Sequence, residues 1–189
     1  MPVSSPTPSV QAWTLEAWLH AELEPRCEFE HGRLIPMASP TRKHQRIVGR
    51  LYGQMDRWTQ ESQAGSVEME VDVALPIGKG VIPDLTFIRR EREAELLTPE
   101  GKVRGAPDLV VEVISPTTRT RDTVQKLRSY HESGVAWYWL VDSETLSVQE
   151  LQWTPEGYVI RGVAEAGEVF RSQALEGFEL NLQALLGEQ

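Results

Sequence analysis

Residues 106–114 read APDLVVEVI, and residues 81–88 read VIPDLTFI. Each is a short apolar run with Pro-Asp near its start. Runs of this length that are nearly continuously apolar mark strands covered on both faces. The pair therefore predicts two buried strands of one sheet, and helices to cover them. The second run also carries an acid in its middle, since Val110, Glu112 and Ile114 fall on one face of an extended chain. A carboxylate buried without a partner costs several kcal/mol, on the order of the stability margin of a whole domain. Glu112 and the two Pro-Asp acids, Asp84 and Asp108, thus require an ion pair, a backbone-capping role or a metal.

Working outward, Thr14 is placed to cap a helix over LEAWLHAEL, with Leu15, Trp18 and Leu19 on one face and Pro25 beyond its end. RCEFEHGRLIPM predicts a hairpin turning at His31-Gly32, with Glu28 in its first strand. The next segment opens on Ser39 as N-cap and Pro40 at the first helical position. Its stripe of Ile47, Val48, Leu51, Met55 and Trp58 predicts a helix. VEMEVDVALPI alternates over Val67, Met69, Val71 and Val73, as one half-buried strand would. TRDTVQKLRSYHESGV reads as a helix stopped by Gly134, and AWYWLVD as a further strand. The rest is a meander of short strands closed by a helical turn at LNLQALL. The expected fold is a mixed β-sheet flanked by helices, α/β or α+β, in one domain over residues 13–189 behind a flexible Pro/Ser/Thr-rich arm over 1–12.

The bulk composition narrows the function. A chain of 189 residues with one cysteine has no internal disulfide framework and no cysteine zinc cluster. No run approaches the roughly 18–20 apolar residues of a membrane span, and the N-terminus has neither the basic nor the apolar part of a secretory signal. A cytoplasmic protein is expected. The formal net charge of −9 has the wrong sign for coating nucleic acid by bulk electrostatics. Two basic stretches nevertheless stand out, one with Arg42, Lys43 and Arg46, the other with Arg119 and Arg121. They are candidates for gripping a polyanion at one cleft; taken singly, each also reads as a solvated helix face.

Geometry separates the acids. Asp108 and Glu112, four apart on one strand, stand roughly 13 Å apart, too far to share one Mg²⁺ ion that binds oxygens at about 2.1 Å. Asp84 belongs to the other strand. If the two strands are neighbours, about 4.8 Å apart, Asp84 and Glu112 can converge. Lys126 lies on the following helix with Asp122, Ser129 and Tyr130 at helical spacing, in a chain with only four lysines against fifteen arginines. Carboxylates that hold a divalent ion, beside a cation, suit phosphodiester hydrolysis.

The ordered series PDL, PDLVVEVISPTTR, Asp122, Lys126, Tyr130, Gly134-Val135 and YWLVD resembles the Uma-type restriction endonuclease family of the PD-(D/E)XK superfamily. TLEAWL, CEFEHGRLI, KHQRIVGRL and ALEGFELNLQALL extend the resemblance over nearly the whole chain. It implies a restriction-endonuclease-like fold and a Mg²⁺-dependent endonuclease acting on DNA, with Mn²⁺ able to substitute. It also implies Asp84 and Glu112 as metal ligands. The superfamily's usual lysine, two positions after the acid, falls here on Ile114, so the resemblance makes Lys126 the catalytic lysine. Glu28 matches the acid of the family's YELIDGEL hairpin and is an additional candidate ligand. Cys27 replaces that motif's tyrosine, and Trp137 stands where a later motif often carries glutamate.

Two further residues are candidates: His44, as a phosphate contact or simply a solvated histidine, and Tyr130, as a support for Lys126. Asp108 is expected to be structural. Of Trp137, Tyr138 and Trp139, strand alternation sends two into the core, although such rings can also stack bases. A homodimer is expected if both strands of a duplex are cut in one encounter. A competing reading is a catalytically silent nuclease-fold module that binds nucleic acid or protein. Another is hydrolysis of a small phosphoester, which would require a closed pocket rather than an open groove.

Overall fold

The strand Leu109–Ile114 (β8, in chain order) is buried at every position, which is why its sequence is apolar throughout instead of alternating. It is central to a six-stranded sheet of order β11-β10-β9-β8-β6-β3. The other members are β3 (Gly65–Met69), β6 (Leu85–Arg89), β9 (Trp137–Asp142), β10 (Ser147–Thr154) and β11 (Gly157–Ala164). β6 runs antiparallel to β8, whereas β9 runs parallel to it. A parallel neighbour requires a crossover, and the helix α4 (Leu127–Ser133), preceded by a π turn over Arg121–Lys126, lies on that connection. The structure is a computed structural model and describes residues 12–114 and 121–185, without the side chains of Arg121 and Asp122. Most of the arm expected over 1–12, together with Arg119, lies outside the described residues.

The two faces of β8 serve different cores. Leu109, Val111 and Val113 meet Ile47, Val48, Leu51 and Met55 from the 21-residue helix α2 (Arg42–Ser62). Val110 and Ile114 pack on the opposite face with Tyr130 of α4, Tyr138 and Leu140. Tyr138 and Trp139 are both fully buried, and Trp137 is half-buried.

A second sheet of five short strands, order β2-β1-β5-β4-β7, stands beside the first. It comprises β1 (Cys27–Glu30), β2 (Arg33–Pro36), β4 (Val73–Ala74), β5 (Gly80–Val81) and β7 (Val103–Arg104). The β1–β2 hairpin turns at His31-Gly32 as the sequence predicts, both residues having positive φ. Helix α1 (Leu15–His20), capped by Thr14, buries Trp18 against this sheet. Gly80 is needed there, because a Cβ would come within 2.5 Å of the Trp18 ring. The short helix α3 (Arg90–Leu96) leads to β7, and β12 (Val169–Arg171) pairs with β13 (Glu179–Asn181) before a closing 3-10 turn at Leu182–Leu185.

Three local expectations are corrected. Helix α2 begins at Arg42 with Thr41 as its N-cap, the hydroxyl accepting the His44 N–H at 3.2 Å, so Ser39 and Pro40 remain in the preceding loop. The alternating run from Val67 is not one strand. It breaks after Met69, where Glu70 adopts a left-handed φ of 51°, and Val73 continues in the other sheet. VIPDLTFI likewise divides: Val81 ends β5, Leu85 starts β6, and Asp84 lies in the bend between them.

One buried acid had no sequence signal. Glu150 of β10 is fully buried and accepts from Trp139 Nε1 (2.9 Å), Ser172 Oγ (2.7 Å), Gln173 N (2.8 Å) and Ala174 N (3.1 Å). It fastens the 172–174 segment to the main sheet. Glu150→Leu is expected to lower stability by at least about 3 kcal/mol in urea unfolding, because several buried donors lose their acceptor. Divalent-ion binding should be unchanged. A loss under about 1 kcal/mol would mean that the segment finds other acceptors.

Candidate active site

Glu112 is on the α4 side of β8, and the residues that answer its charge come from the crossover. Lys126, at the end of the π turn, sets Nζ 2.8 Å from Glu112 Oε1, and the Tyr130 hydroxyl donates to the same oxygen at 2.6 Å. An uninterrupted α-helix phases its side chains differently from a π turn, which inserts a wider turn and is often found at functional positions. Burial first, and the adjoining Glu112 carboxylate next, push the Tyr130 phenol well above its ordinary pKa. It therefore remains a donor. Glu28 approaches from β1, with Oε1 3.3 Å from Lys126 Nζ and 3.3 Å from the Ile82 backbone N–H, which donates to it. β1 lies between β2 and β5, so Glu28 belongs to an interior strand, not a sheet edge.

Asp84 arrives by a different route. The last antiparallel pair of β6 with β8 is Leu85 with Val111. One step further would set Asp84 opposite Glu112, but there the chain leaves the ladder. The Val113 N–H would lose its partner, and Asp84 Oδ2 accepts it at 2.6 Å. Asp84 and Glu112 line one cavity of about 330 Å³ together with Glu28, His44 and Lys126. The acids and the lysine are deep in it, at 9, 3, 4 and 8 % exposure for Asp84, Glu112, Glu28 and Lys126.

His44 is not the solvated residue that is one reading of its sequence position. Helix α2 points its first turn at the cavity, and His44 Nε2 stands 3.3 Å from Asp84 Oδ2 with 13 % of the side chain exposed. Its Nδ1 is buried with no hydrogen-bond partner among the described residues. Burial alone would lower its pKa, but the hydrogen bond and charge of Asp84, with smaller contributions from Glu70 and the Val113 backbone, together displace it upward.

The remaining expected residues are placed elsewhere. Asp108 accepts from the Arg89 backbone N–H (2.9 Å) and from Arg92 (3.0 Å), away from the cavity, as a structural acid would. Arg42, Lys43 and Arg46 are exposed on the first turns of α2 and do not line the cavity, and Lys43 pairs with Glu144 at 3.1 Å. Arg26, which the sequence did not single out, lines it, while pairing with Asp72 at 2.8 Å.

A divalent metal is the group implied at such a site. No three His, Cys, Asp or Glu side chains among the described residues form a ready-made cage. Mg²⁺ does not need one, because it is commonly held by one or two carboxylates, with waters and substrate phosphates completing its shell. Two hard oxygen donors from separate elements, Asp84 and Glu112, opening into one cavity fit that pattern.

The sequence model of Uma2, described as "Putative restriction endonuclease", matches residues 13–183. The chain belongs to the Uma2 family. Among solved structures it is similar to a putative nuclease belonging to DUF820 from Anabaena variabilis, at 18% identity with a TM-score of 0.71. The match covers 92% of this chain and 97% of that one, so the two share a fold. No curated protein matches. As a Uma2 protein, the chain has a nuclease-like mixed sheet flanked by helices, and among its described residues no helix is long and apolar enough to cross a membrane.

The His44–Asp84 contact has a measurable sign. A histidine whose folded pKa is raised adds stability that is complete below its unfolded value and disappears as the pH rises through the folded value. In metal-free protein the His44 ring should titrate above its ordinary 6.5 by NMR, and Asp84→Asn should bring the midpoint down. An unchanged midpoint in that variant would separate His44 from Asp84.

Proposed function

We propose that this Uma2 protein is a Mg²⁺-dependent endonuclease that hydrolyses DNA phosphodiester bonds, with Asp84 and Glu112 as the metal-holding carboxylates and Lys126 as the catalytic cation. The observation that carries the reading is Glu112 itself: a mid-strand acid kept in a cavity with an ammonium and a second carboxylate near it. A bound divalent ion supplies a more acidic water and charge neutralisation at the phosphorus. Asp84, held by the Val113 N–H, presents a fixed carboxylate edge. The Tyr130 hydroxyl and Lys126 keep Glu112 Oε1 in one orientation. During hydrolysis the water oxygen bonds to phosphorus, the P–O bond to the leaving nucleotide breaks, and a proton passes to the leaving oxygen. Of the two cations that line the cavity, Arg26 is paired with Asp72, and Lys126, beside Glu112, is the donor suited to the extra negative charge on the phosphoryl oxygens, a role that Ile114 cannot fill.

Calorimetry with Mn²⁺ and oligonucleotide cleavage, run side by side, test these roles. Asp84→Ala should weaken Mn²⁺ binding about tenfold or more, since a hard carboxylate ligand is lost. Lys126→Ala should reduce cleavage about a hundredfold while changing Mn²⁺ affinity little, because an ammonium stabilises developing charge and ligates no metal. Thermal unfolding of Lys126→Ala with and without Mn²⁺ separates catalysis from the stability lost when Glu112 loses its buried cation. Wild-type protein that binds no Mn²⁺ would favour the silent-module reading, in which Lys126 on Glu112 is the final state of the site.

The exposed cations at the start of α2 supply a second, independent check. If Arg42, Lys43 and Arg46 contact phosphates beside the cavity, DNA affinity should fall steeply with salt. Arg46→Glu should weaken DNA binding and leave Mn²⁺ binding intact. Salt-independent binding would remove these residues from the interface.

A further inference from the structure

Asp84, Glu112 and Lys126 are each at least nine-tenths buried, and the cavity that all three line is where a phosphodiester would meet them together. The cavity holds about 330 Å³. That lies at the low end of the roughly 300–1,000 Å³ typical of small-ligand pockets. It suits one nucleotide-sized group. Its outer wall is built from Pro25, Met37, Ala38 and Pro40, residues of the loops before β1 and between β2 and α2. Pro25, Ala38 and Pro40 are exposed, which puts them at the rim, while the acids are buried.

Charge points the same way. A duplex carries about one negative charge per 1.7 Å of axis, about twice the density of one strand. The chain carries a formal net charge of −9. Many of its described cations are tied to acids: Arg26 to Asp72, Lys43 to Glu144, Lys79 to Glu30, Lys102 to Asp72 and Arg104 to Glu16. Such a surface penalises a polyanion in proportion to its charge density, and the penalty is lower for a single strand.

We propose that the substrate is unpaired DNA, a single strand or a flap, one nucleotide of which enters the cavity between the Met37–Pro40 wall and the Asp84/Glu112 floor. Among the described residues the cavity lining holds no Phe, Tyr or Trp, and its one ring, the His44 imidazole, is engaged with Asp84 at 3.3 Å. Base stacking therefore does not select the sequence there, and cleavage should tolerate any base.

The proposal rests on the nuclease reading above, and its test separates the two. One labelled oligonucleotide is offered with Mn²⁺ as a single strand, as a full duplex and as a duplex with an unpaired flap. Binding of each form is measured in parallel by fluorescence anisotropy with Ca²⁺. The single strand and the flap arm should be cut more than about tenfold faster than the duplex, since the duplex must first unpair. Ala38→Trp, which fills the cavity from its wall, should slow cleavage of the strand without changing Mn²⁺ affinity or thermal stability. A duplex cut as fast as the strand overturns the proposal and leaves the nuclease reading standing. So does a dinucleotide cut as fast as the oligonucleotide, which assigns the cavity to a small phosphodiester. If nothing is cut, the nuclease reading fails, and anisotropy alone decides: tighter binding of the single strand sustains the preference for unpaired DNA, and equal or tighter binding of the duplex ends it.

Discussion

The Glu112 carboxylate lies in the middle of a central strand, where a neutral side chain would be cheaper by several kcal/mol. The elements around it are arranged to meet that cost. The parallel β8–β9 pairing requires a crossover, and the crossover returns a π turn and α4 above Glu112, carrying Lys126 and Tyr130 to the same oxygen. The smaller sheet brings Glu28 within 3.3 Å of Lys126 Nζ. Replacing this set with well-packed apolar residues would often be neutral or stabilising. Stability alone therefore gives no reason for an acid at this position.

The division of β8 into two faces makes the arrangement possible. Val111 and Val113 commit one face to α2, so the long helix is fixed by packing and its N-terminus can be aimed independently. That N-terminus places His44 against Asp84. Asp84 in turn is fixed because β6 parts from β8 after Leu85–Val111, two residues short of Val113, and its carboxylate takes the Val113 N–H. The acid is both a structural acceptor and a member of the cavity, two roles that the sequence presents as alternatives.

The buried strands, the hairpin, α1, α2 and the approach of Lys126 to Glu112 were legible, because each rests on local periodicity, turn chemistry or a resemblance carried by ordered motifs. What escaped depends on contacts distant in sequence. Val67 to Val73 alternate correctly for one strand, but the left-handed Glu70 turns the chain from one sheet to the other. Glu150 looks like any polar residue of a meander until Trp139 and the 172–174 segment close over it. His44 has the sequence surroundings of a solvated helix start. Only the packing of α2 on the sheet shows that its ring faces inward. Arg26 is close in sequence to Pro25 and Glu28 of the cavity lining, but it precedes a short strand with no periodic signal to show that it faces the cavity.

The two Pro-Asp pairs show why a motif needs its neighbours to acquire a role. Both acids precede a buried strand, and both accept a backbone N–H from the adjacent strand: Arg89 N for Asp108, Val113 N for Asp84. Their surroundings then diverge. Asp108 stands at the end where α3 begins, and Arg92 of that helix neutralises it with a short ion pair. Asp84 stands at the opposite end of β6, where the chain bends away toward the small sheet. Its charged neighbour there is an imidazole on the edge of a cavity. An acid matched by an arginine has little reason to attract a metal. Asp84 shares a cavity with Glu112 and has a titratable ring, not a guanidinium, as its charged neighbour, which is the setting that the proposed metal role requires.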